Sequence, residues 1–383
     1  MAYQETTKTS YGKRLGNSLS GILVGFILII AGTVVLWKNE GRAVHIAKML
    51  KNGAAECVDV ADVSSVDASL NGKLIHAIAV AQTTDEIQDP DFPISVNAIQ
   101  LKKDVEYYQW VEHTQTETKD KVGGAQETVT TYTYSKEWVS RPVNSGEFKD
   151  PQYQGINNKV RIEVTDSEVY ADNVTFGGYK LPTTLIHAIP CDVPVQLDSA
   201  LATAARSVDK NVLYYGNPAE PAVGDVRITF TKAVGGEASV LAKVINNTFE
   251  PYTSNGKSLI TLSMGNHSKD NMFESEEKAN KTTLWLLRIL GIILVIAGFR
   301  GIFNIVTTLL KVLPPLAKIA DLGVGLVAGV LGLVWSLIVI IIGWIAYRPA
   351  LGITLLVLAV VLVAFLVMKS KKAAAAAPAA PVE

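Results

Sequence analysis

Cysteine is scarce in this chain: Cys57 and Cys191 are the two among 383 residues. That excludes a disulfide-built scaffold and leaves room for one bridge, which spacing alone neither makes nor forbids. Histidine is sparse too. His45, His76, His113, His187 and His267 lie without metal-ligand spacing and read as surface or structural residues, so no metal is expected. There is no phosphate-cradling glycine loop and no Gly-x-Ser-x-Gly elbow. No acid–base pair or nucleophile stands out, so no catalytic residue, no cofactor and no enzyme activity are expected. Positive charge is short where a nucleic-acid partner would need it. Residues 38–281 hold 24 Lys+Arg against 33 Asp+Glu, a net of −9, while the remainder of the chain carries +8. A strongly acidic middle excludes nucleic acid and anionic lipid as its partners.

Long apolar runs are few, and their placement organises the chain. Leu19–Trp37 is a 19-residue apolar run followed at once by the polar hexad Asn39-Glu40-Gly41-Arg42-Ala43-Val44. It is long enough to span a bilayer, and too long for a cleavable signal segment. No other stretch can span until about residue 282. Runs then follow at 282–299, 322–346 and 350–368. The expected fold class is an integral membrane α-helical bundle of four transmembrane helices plus a large β-rich α+β extracytoplasmic domain. Its expected divisions are a cytosolic tail at 1–18, a first span at 19–37, the domain at 38–281, a second span at 282–299, a cytosolic loop at 300–321, spans at 322–346 and 350–368, and a disordered cytosolic tail at 369–383. The loop holds an expected interfacial amphipathic helix over Gly301–Leu313, polar at Asn304, Thr307, Thr308 and Lys311 and stopped by Pro314-Pro315.

Within 38–281 the period is mostly two, hence strand. Ile99–Thr118 and Thr128–Val139 read as a long hairpin turned at Gly123-Gly124. Tyr108 and Trp110 lie on one face of the first strand; Tyr132, Tyr134 and Trp138 share a face of the second. Such a face packs as core more often than it binds ligand. Lys73–Val80, Arg161–Val164, Val174–Phe176, Leu213–Gly216 and Ser258–Met264 are further strands. Gly224–Phe230 alternates cleanly and Ala238–Val244 reads as its hairpin partner across Gly235-Gly236; two such blocks hint at a duplicated β-unit. Helix is expected at Ser199–Ser207 and at Arg42–Lys51. Asp85, Glu86, Asp89 and Asp91 flank Pro90 without the EF-hand pattern and read as a solvated loop.

Lys13 and Arg14, then Arg300, Lys311 and Lys318, then Lys369, Lys371 and Lys372 fall on one side of a four-span layout. The positive-inside rule makes that side, with both termini, cytosolic; Lys38 and Arg42 argue the other way with fewer charges. Gly21 and Gly25, four apart, offer a small-residue face for another helix. Arg288 is the unusual polar residue, about one and a half turns inside a span. Such a charge either snorkels or pairs. The candidate partner is Glu40, although Glu40 could equally pair with Arg42 at the helix end.

The residues quoted for the hexad Asn39–Val44, Val105–Glu112 with the Tyr132/Tyr134/Trp138 strand, Gly224–Phe230, Thr283-Leu284-Trp285-Leu286-Leu287-Arg288 and Gly343-Trp344-Ile345-Ala346-Tyr347-Arg348-Pro349 occur in an order that resembles the LUMA family, transmembrane protein 43. The resemblance implies a membrane scaffold that associates with itself and organises partners. Animal members of that family sit in the endoplasmic reticulum and inner nuclear membrane and contact lamins and emerin-type proteins; bacterial relatives have no nuclear envelope. The expected location is therefore the inner membrane if the source is bacterial, to which the Ala/Pro-rich tail points, and the endoplasmic reticulum or nuclear inner membrane if eukaryotic. The expected partners are membrane lipids, further copies of the chain and other membrane proteins. The competing reading is an extracytoplasmic module for sensing or handling a ligand or lipid, coupled to the bundle. The residues expected to matter for structure or interaction are Glu40, Arg42, Arg288, Gly21, Gly25, Tyr108, Trp110 and Trp138.

Overall fold

The structure, a computed structural model, describes residues 3–349 together with Thr354 and Val357. It divides into two compact units. One takes the described parts of Met1–Thr9, Met49–Lys119 and Gln126–Glu276; the other takes those of Ser10–Lys48, Asp120–Ala125 and Glu277–Glu383.

The first unit is built on an eight-stranded and a seven-stranded sheet. The longest strands of the first sheet, Gln100–Asp120 and Gln126–Val139, are neighbours. The turn between them uses Gly123 and Gly124 at φ +92° and +83°, a conformation that side chains with a Cβ resist. Tyr3–Thr9 adds to the outer edge of this hairpin, so the segment expected to be a tail is a paired strand. On its other side Gln100–Asp120 pairs with Val226–Ala233, which in turn pairs with Val212–Tyr215. In the second sheet Leu74–Thr83 lies antiparallel to Gly236–Ile245 and parallel to Val58–Val60.

One apolar core draws on both sheets. Val105, Tyr107, Val226, Ile228 and Phe230 come from the first; Ile75, Ala77, Phe176, Val240 and Val244 come from the second. Alternation decides which side chains enter: along Val226–Phe230 the buried residues are Val226, Ile228 and Phe230, with Arg227 and Thr229 less buried between them. Each large apolar side chain removed from water contributes about 1.5–3 kcal/mol.

Four expectations are corrected here. Val226–Ala233 and Gly236–Ile245 are not a hairpin. They belong to different sheets, and the chain changes sheet at Val234-Gly235. Gly235 permits this, because a Cβ there would collide with the Ala81 carbonyl. The two sheets also differ in strand order, so no duplicated unit is present among the described residues. Ser199–Ser207 is not an α-helix. A single 3-10 turn, Ser199–Leu201, is capped by Asp198, and the chain then enters the strand Arg206–Asp209. Pairing with Val212–Tyr215 and the bond from Arg206 Nε to the Leu201 carbonyl (2.6 Å) outweigh local helix propensity. Arg161–Val164 forms no strand.

Among the described residues there are three long helices. α1 is Tyr11–Glu56, α3 is Lys269–Leu310 and α4 is Pro314–Tyr347; α2, Thr183–Ile186, is a single turn in the first unit. α1 joins the apolar run, the hexad and the expected Arg42–Lys51 helix without a break. α3 begins at Lys269, takes in the polar run Glu274–Lys281 before residue 282 and runs on past Gly301, so Gly301–Leu313 holds no separate interfacial helix. Nothing between Phe299 and Leu310 breaks a helix, and the two prolines come late enough to open α4 at its first turn instead. Among the described residues three helices are long and apolar enough to cross a membrane: α1, α3 and Ile319–Tyr347 of α4. The fourth expected span, 350–368, apart from Thr354 and Val357, and the tail at 369–383 lie outside the described residues.

Cys57 and Cys191 are both free thiols. Burial pushes the Cys57 thiol up to about 11 against the opposing pull of Lys269, and burial raises Cys191 as well. Since the thiolate is the reactive form, Cys57 is expected to resist maleimide at neutral pH in the folded protein and to react on unfolding. Gel mobility is expected to be the same with and without reductant.

Candidate functional site

The polar residues that the apolar helices carry are gathered in the second unit, where α1 and α3 pack antiparallel. Glycine sets their separation. A Cβ on Gly25 would stand 2.6 Å from the Gly298 carbonyl oxygen, and one on Gly298 would stand 2.6 Å from that of Gly25. Gly32 meets Gly291 in the same way one step further along, while Gly21 has only the Gly301 carbonyl at 3.7 Å. The two backbones therefore touch at Gly25 and Gly32, which is what a small-residue face permits.

At the Glu40 end of this contact the helices are stitched by a buried polar node. Arg288 Nε donates to Glu40 Oε1 at 2.6 Å and Arg288 Nη2 to Glu40 Oε2 at 2.9 Å, a two-pronged pair. Trp344 Nε1 of α4 donates to the same Oε2 at 3.0 Å. The side chains of Arg288 and Glu40 keep only 7% and 1% of their surface exposed. The guanidinium also lies over the rings of Trp285 (4.9 Å) and Trp344 (5.5 Å), which suits a cation held away from water. Asn39 Nδ2 donates to the Leu284 carbonyl, 2.8 Å, and its Oδ1 accepts from Arg42 Nη2, 3.1 Å. Arg42 Nη1 donates in turn to Asn280 Oδ1, 3.1 Å, and Asn280 Nδ2 to the Ala43 carbonyl, 3.0 Å. α4 closes the node by close approach: Tyr347 fills the space beside Gly41, and Gly343 lies against Glu40.

Of the residues singled out from sequence, Glu40, Arg42 and Arg288 meet here, with Arg288 on Glu40 and Arg42 on Asn39 and Asn280. Gly21 and Gly25 lie on the α3-facing side of α1. Asn280, Trp344 and Tyr347 were not singled out. Trp344 and Tyr347 stood in a quoted motif, and only the antiparallel α1–α3 register would have aligned Asn280 with Arg42. Tyr108, Trp110 and Trp138 lie elsewhere, in the first unit. They are half-buried and form the face opposite the core, since Val105 and Tyr107 take the core side. Trp138 contacts Tyr108 (5.2 Å) and Tyr214 (5.8 Å) and carries Arg227 over its ring at 4.4 Å. Trp110 packs edge-on to Tyr153 at 5.3 Å. These rings are occupied by one another rather than open to a ligand.

The acidic cluster is corrected too. Asp89 is buried, not solvated: it takes the ammonium of the fully buried Lys103 at 3.2 Å, shared with Asp91, and accepts from the Phe92 amide at 2.9 Å. An internal lysine thus fills the place a cation would take. Among the described residues no group of acidic, His or Cys side chains is arranged to hold a metal. Two shallow clefts of about 390 and 330 Å³ lie in the first unit, the former lined by Gln82, Thr83, Asn97 and backbone at Gly235–Gly236, the latter by Asp172, Lys180 and Thr248 among others.

With this geometry in hand, comparison with known proteins is decisive on one point. The family model for Transmembrane protein 43 matches residues 107–349, well over half of the chain, from the long hairpin through α4. The chain belongs to the transmembrane protein 43 family. Transmembrane protein 43 of Rattus norvegicus is 28% identical over 350 residues, covering 88% of this chain and 87% of the relative. Transmembrane protein 43 of Homo sapiens is 27% identical over 382 residues, with 96% and 95% coverage. The Drosophila melanogaster homolog is 29% identical over 342 residues, with 87% and 90% coverage. No solved structure matches the chain. Asn280, Arg288 and Trp344 of the node and Gly291 and Gly298 of the glycine contact lie inside the matched segment, while their partners on α1 precede it.

Removing one partner of a buried ion pair leaves the other charge stranded, at a cost of about 3–5 kcal/mol. Glu40→Gln is therefore expected to lower the unfolding free energy in detergent by that order, and the double swap Glu40→Arg with Arg288→Glu to recover part of the loss. No recovery would mean that the pair is not what the single change disrupts. At the glycine contact, Gly25→Ala is expected to force the helices apart at about 1–3 kcal/mol. Gly21→Ala, which meets only ordinary contact, is expected to be neutral or stabilising through helix propensity. Thermal unfolding of the two variants side by side checks this.

Proposed function

We propose that the chain is a non-catalytic, multi-pass membrane scaffold that associates with itself and organises partner proteins, with both termini in the cytosol and the large domain outside it. The observation that carries this reading is the node at Glu40. The charged groups in it are spent on other groups of the bundle, Arg288 on Glu40, which also accepts from the Trp344 indole, and Arg42 on Asn39 and Asn280. A catalytic or transporting charge has to exchange partners; this arrangement holds three helices in one geometry. The bundle then meets its surroundings through apolar side chains such as Phe26, Trp285, Leu322 and Leu326, all more than half exposed. Surfaces of that kind are satisfied by lipid or by another copy.

Self-association is tested by native mass measurement of the full chain in nanodiscs over a range of protein-to-disc ratios, with lipids identified in the same spectra. Multiples of the chain mass that persist on dilution are the expected result. A monomer at every ratio would remove the scaffold reading, and a stoichiometric bound lipid or small molecule would favour the ligand-handling role instead.

A further inference from the structure

Lys103 breaks the apolar pattern of the sheet core. Along the strand Gln100–Asp120 the inward positions Leu101, Lys103, Val105 and Tyr107 alternate with less buried residues, so a lysine stands where the period calls for an apolar side chain. Its side chain has no exposed surface. It sits opposite Phe230 in the sheet, with Nζ 5.4 Å from the centre of the Phe92 ring, and that ring meets Phe230 edge-on at 6.0 Å. A lysine is almost never buried so completely unless it is paired.

Two carboxyl groups of one short loop meet that nitrogen. Residues 89–94 join the paired strands Glu86–Gln88 and Ser95–Asn97, and the Asp89 amide closes the loop on the Ile94 carbonyl at 3.0 Å. Pro90 and Pro93 each fix a backbone angle within it. The two carboxyls differ in their commitments. Asp89, 1% exposed, accepts from the amides of Asp91 and Phe92 at 2.9 Å each, from the Ser167 hydroxyl at 3.2 Å and from Lys103 Nζ at 3.2 Å. Asp91 Oδ2 touches Lys103 Nζ, and the Asp91 side chain keeps 43% of its surface exposed. A stiff loop thus holds the Asp91 carboxyl carbon against a buried amine, on the side from which a small molecule can leave. Asp89 stands beside the same nitrogen, locked in place by its own hydrogen bonds.

We propose that Lys103 and Asp91 condense within the folded domain to an isopeptide bond, with Asp89 as the proton carrier. Separated charges are costly in a closed interior, and one proton passing from the Lys103 ammonium to the Asp91 carboxylate converts the ion pair to a neutral amine and acid. The freed Nζ lone pair attacks Asp91 Cγ and the N–C bond forms. A second proton leaves nitrogen by way of Asp89 and reaches the departing hydroxyl. The C–O bond breaks, water leaves, the amide keeps one N–H and Asp89 is regenerated. Nothing is oxidised or reduced, and no further reactant is consumed. Holding the two groups together in a fixed geometry supplies the drive that free amine and acid in water lack. The product ties the 89–94 loop to the central strand of the first sheet, a covalent cross-link in a domain whose two cysteines are free thiols. It goes beyond the scaffold reading and does not depend on it.

The test is mass spectrometry of the unaltered full chain purified in detergent, then denatured and digested with trypsin. Lys102 and Lys103 are adjacent, and residues 74–101 contain no lysine or arginine. Peptide 74–102 is therefore expected to stay joined to 103–119, lighter than the two together by the mass of one further water, with no cut after Lys103 and with fragments placing the link at Asp91. Separate peptides of full sequence mass overturn the proposal. A water lost from 74–102 with normal cutting after Lys103 is a succinimide and overturns it too, as does a link placed at Asp89. Asp91→Ala is expected to restore the full mass and the cut after Lys103, and persistence of the linked peptide in that variant would place the bond elsewhere. Asp89→Asn is expected to lose most of the linked peptide; unchanged linkage overturns the proton-carrying role. Each variant is first shown to be folded by a Cys57 thiol that remains closed to maleimide.

Discussion

The bundle depends on how two opposite charges are kept together away from water. An isolated arginine or glutamate among apolar helices would cost several kcal/mol. Arg288 and Glu40 avoid this by geometry: a fork on a fork, with the third strong donor coming from Trp344. Each of the three helices supplies one member, so none can leave without stranding the other two. The surrounding contacts follow from that demand. Gly41 and Gly343 let α4 come close enough for the indole to reach, and Asn39, Arg42 and Asn280 fix the level at which α1 meets α3.

Much of this was written in the sequence, and the reason is chemical. An arginine inside an apolar run has few options, and Glu40 was the acidic group at the matching depth. The glycines four apart announced a close helix contact because a missing Cβ can be read directly. What sequence could not supply was register between distant segments. Asn280 is brought level with Arg42 only because α3 starts at Lys269, and Leu313-Pro314 looked like the end of a surface helix because amphipathic spacing does not say what the polar face meets. Here Thr308 shares a hydroxyl hydrogen bond with Ser18 at 2.6 Å.

In the sheet domain the failures have a common source. Local alternation identified the strands Val226–Ala233 and Gly236–Ile245, and adjacency suggested a hairpin, yet each is claimed by a different sheet. The choice is made by partners more than a hundred residues away, Leu74–Thr83 and Gln100–Asp120, which no local pattern reveals. Asp89 shows the same effect in miniature: an acidic loop becomes interior once Lys103 reaches it. The aromatic residues Tyr108, Trp110 and Trp138 were visible as one face, but period two cannot say which of two faces is the core, and Tyr107 decided it.

The antiparallel pair α1–α3 carries polar fasteners at both ends and bare backbone contact between them. Ser18 is tied to Thr308 at one end and Glu40 to Arg288 at the other, with Gly25 against Gly298 in the middle. Sliding one helix past the other by a single turn, about 5.4 Å, would break both fasteners at once and drive side chains into the glycine notches. The pair therefore behaves as a strut: it can tilt or translate as one body, but it cannot transmit a signal by shear.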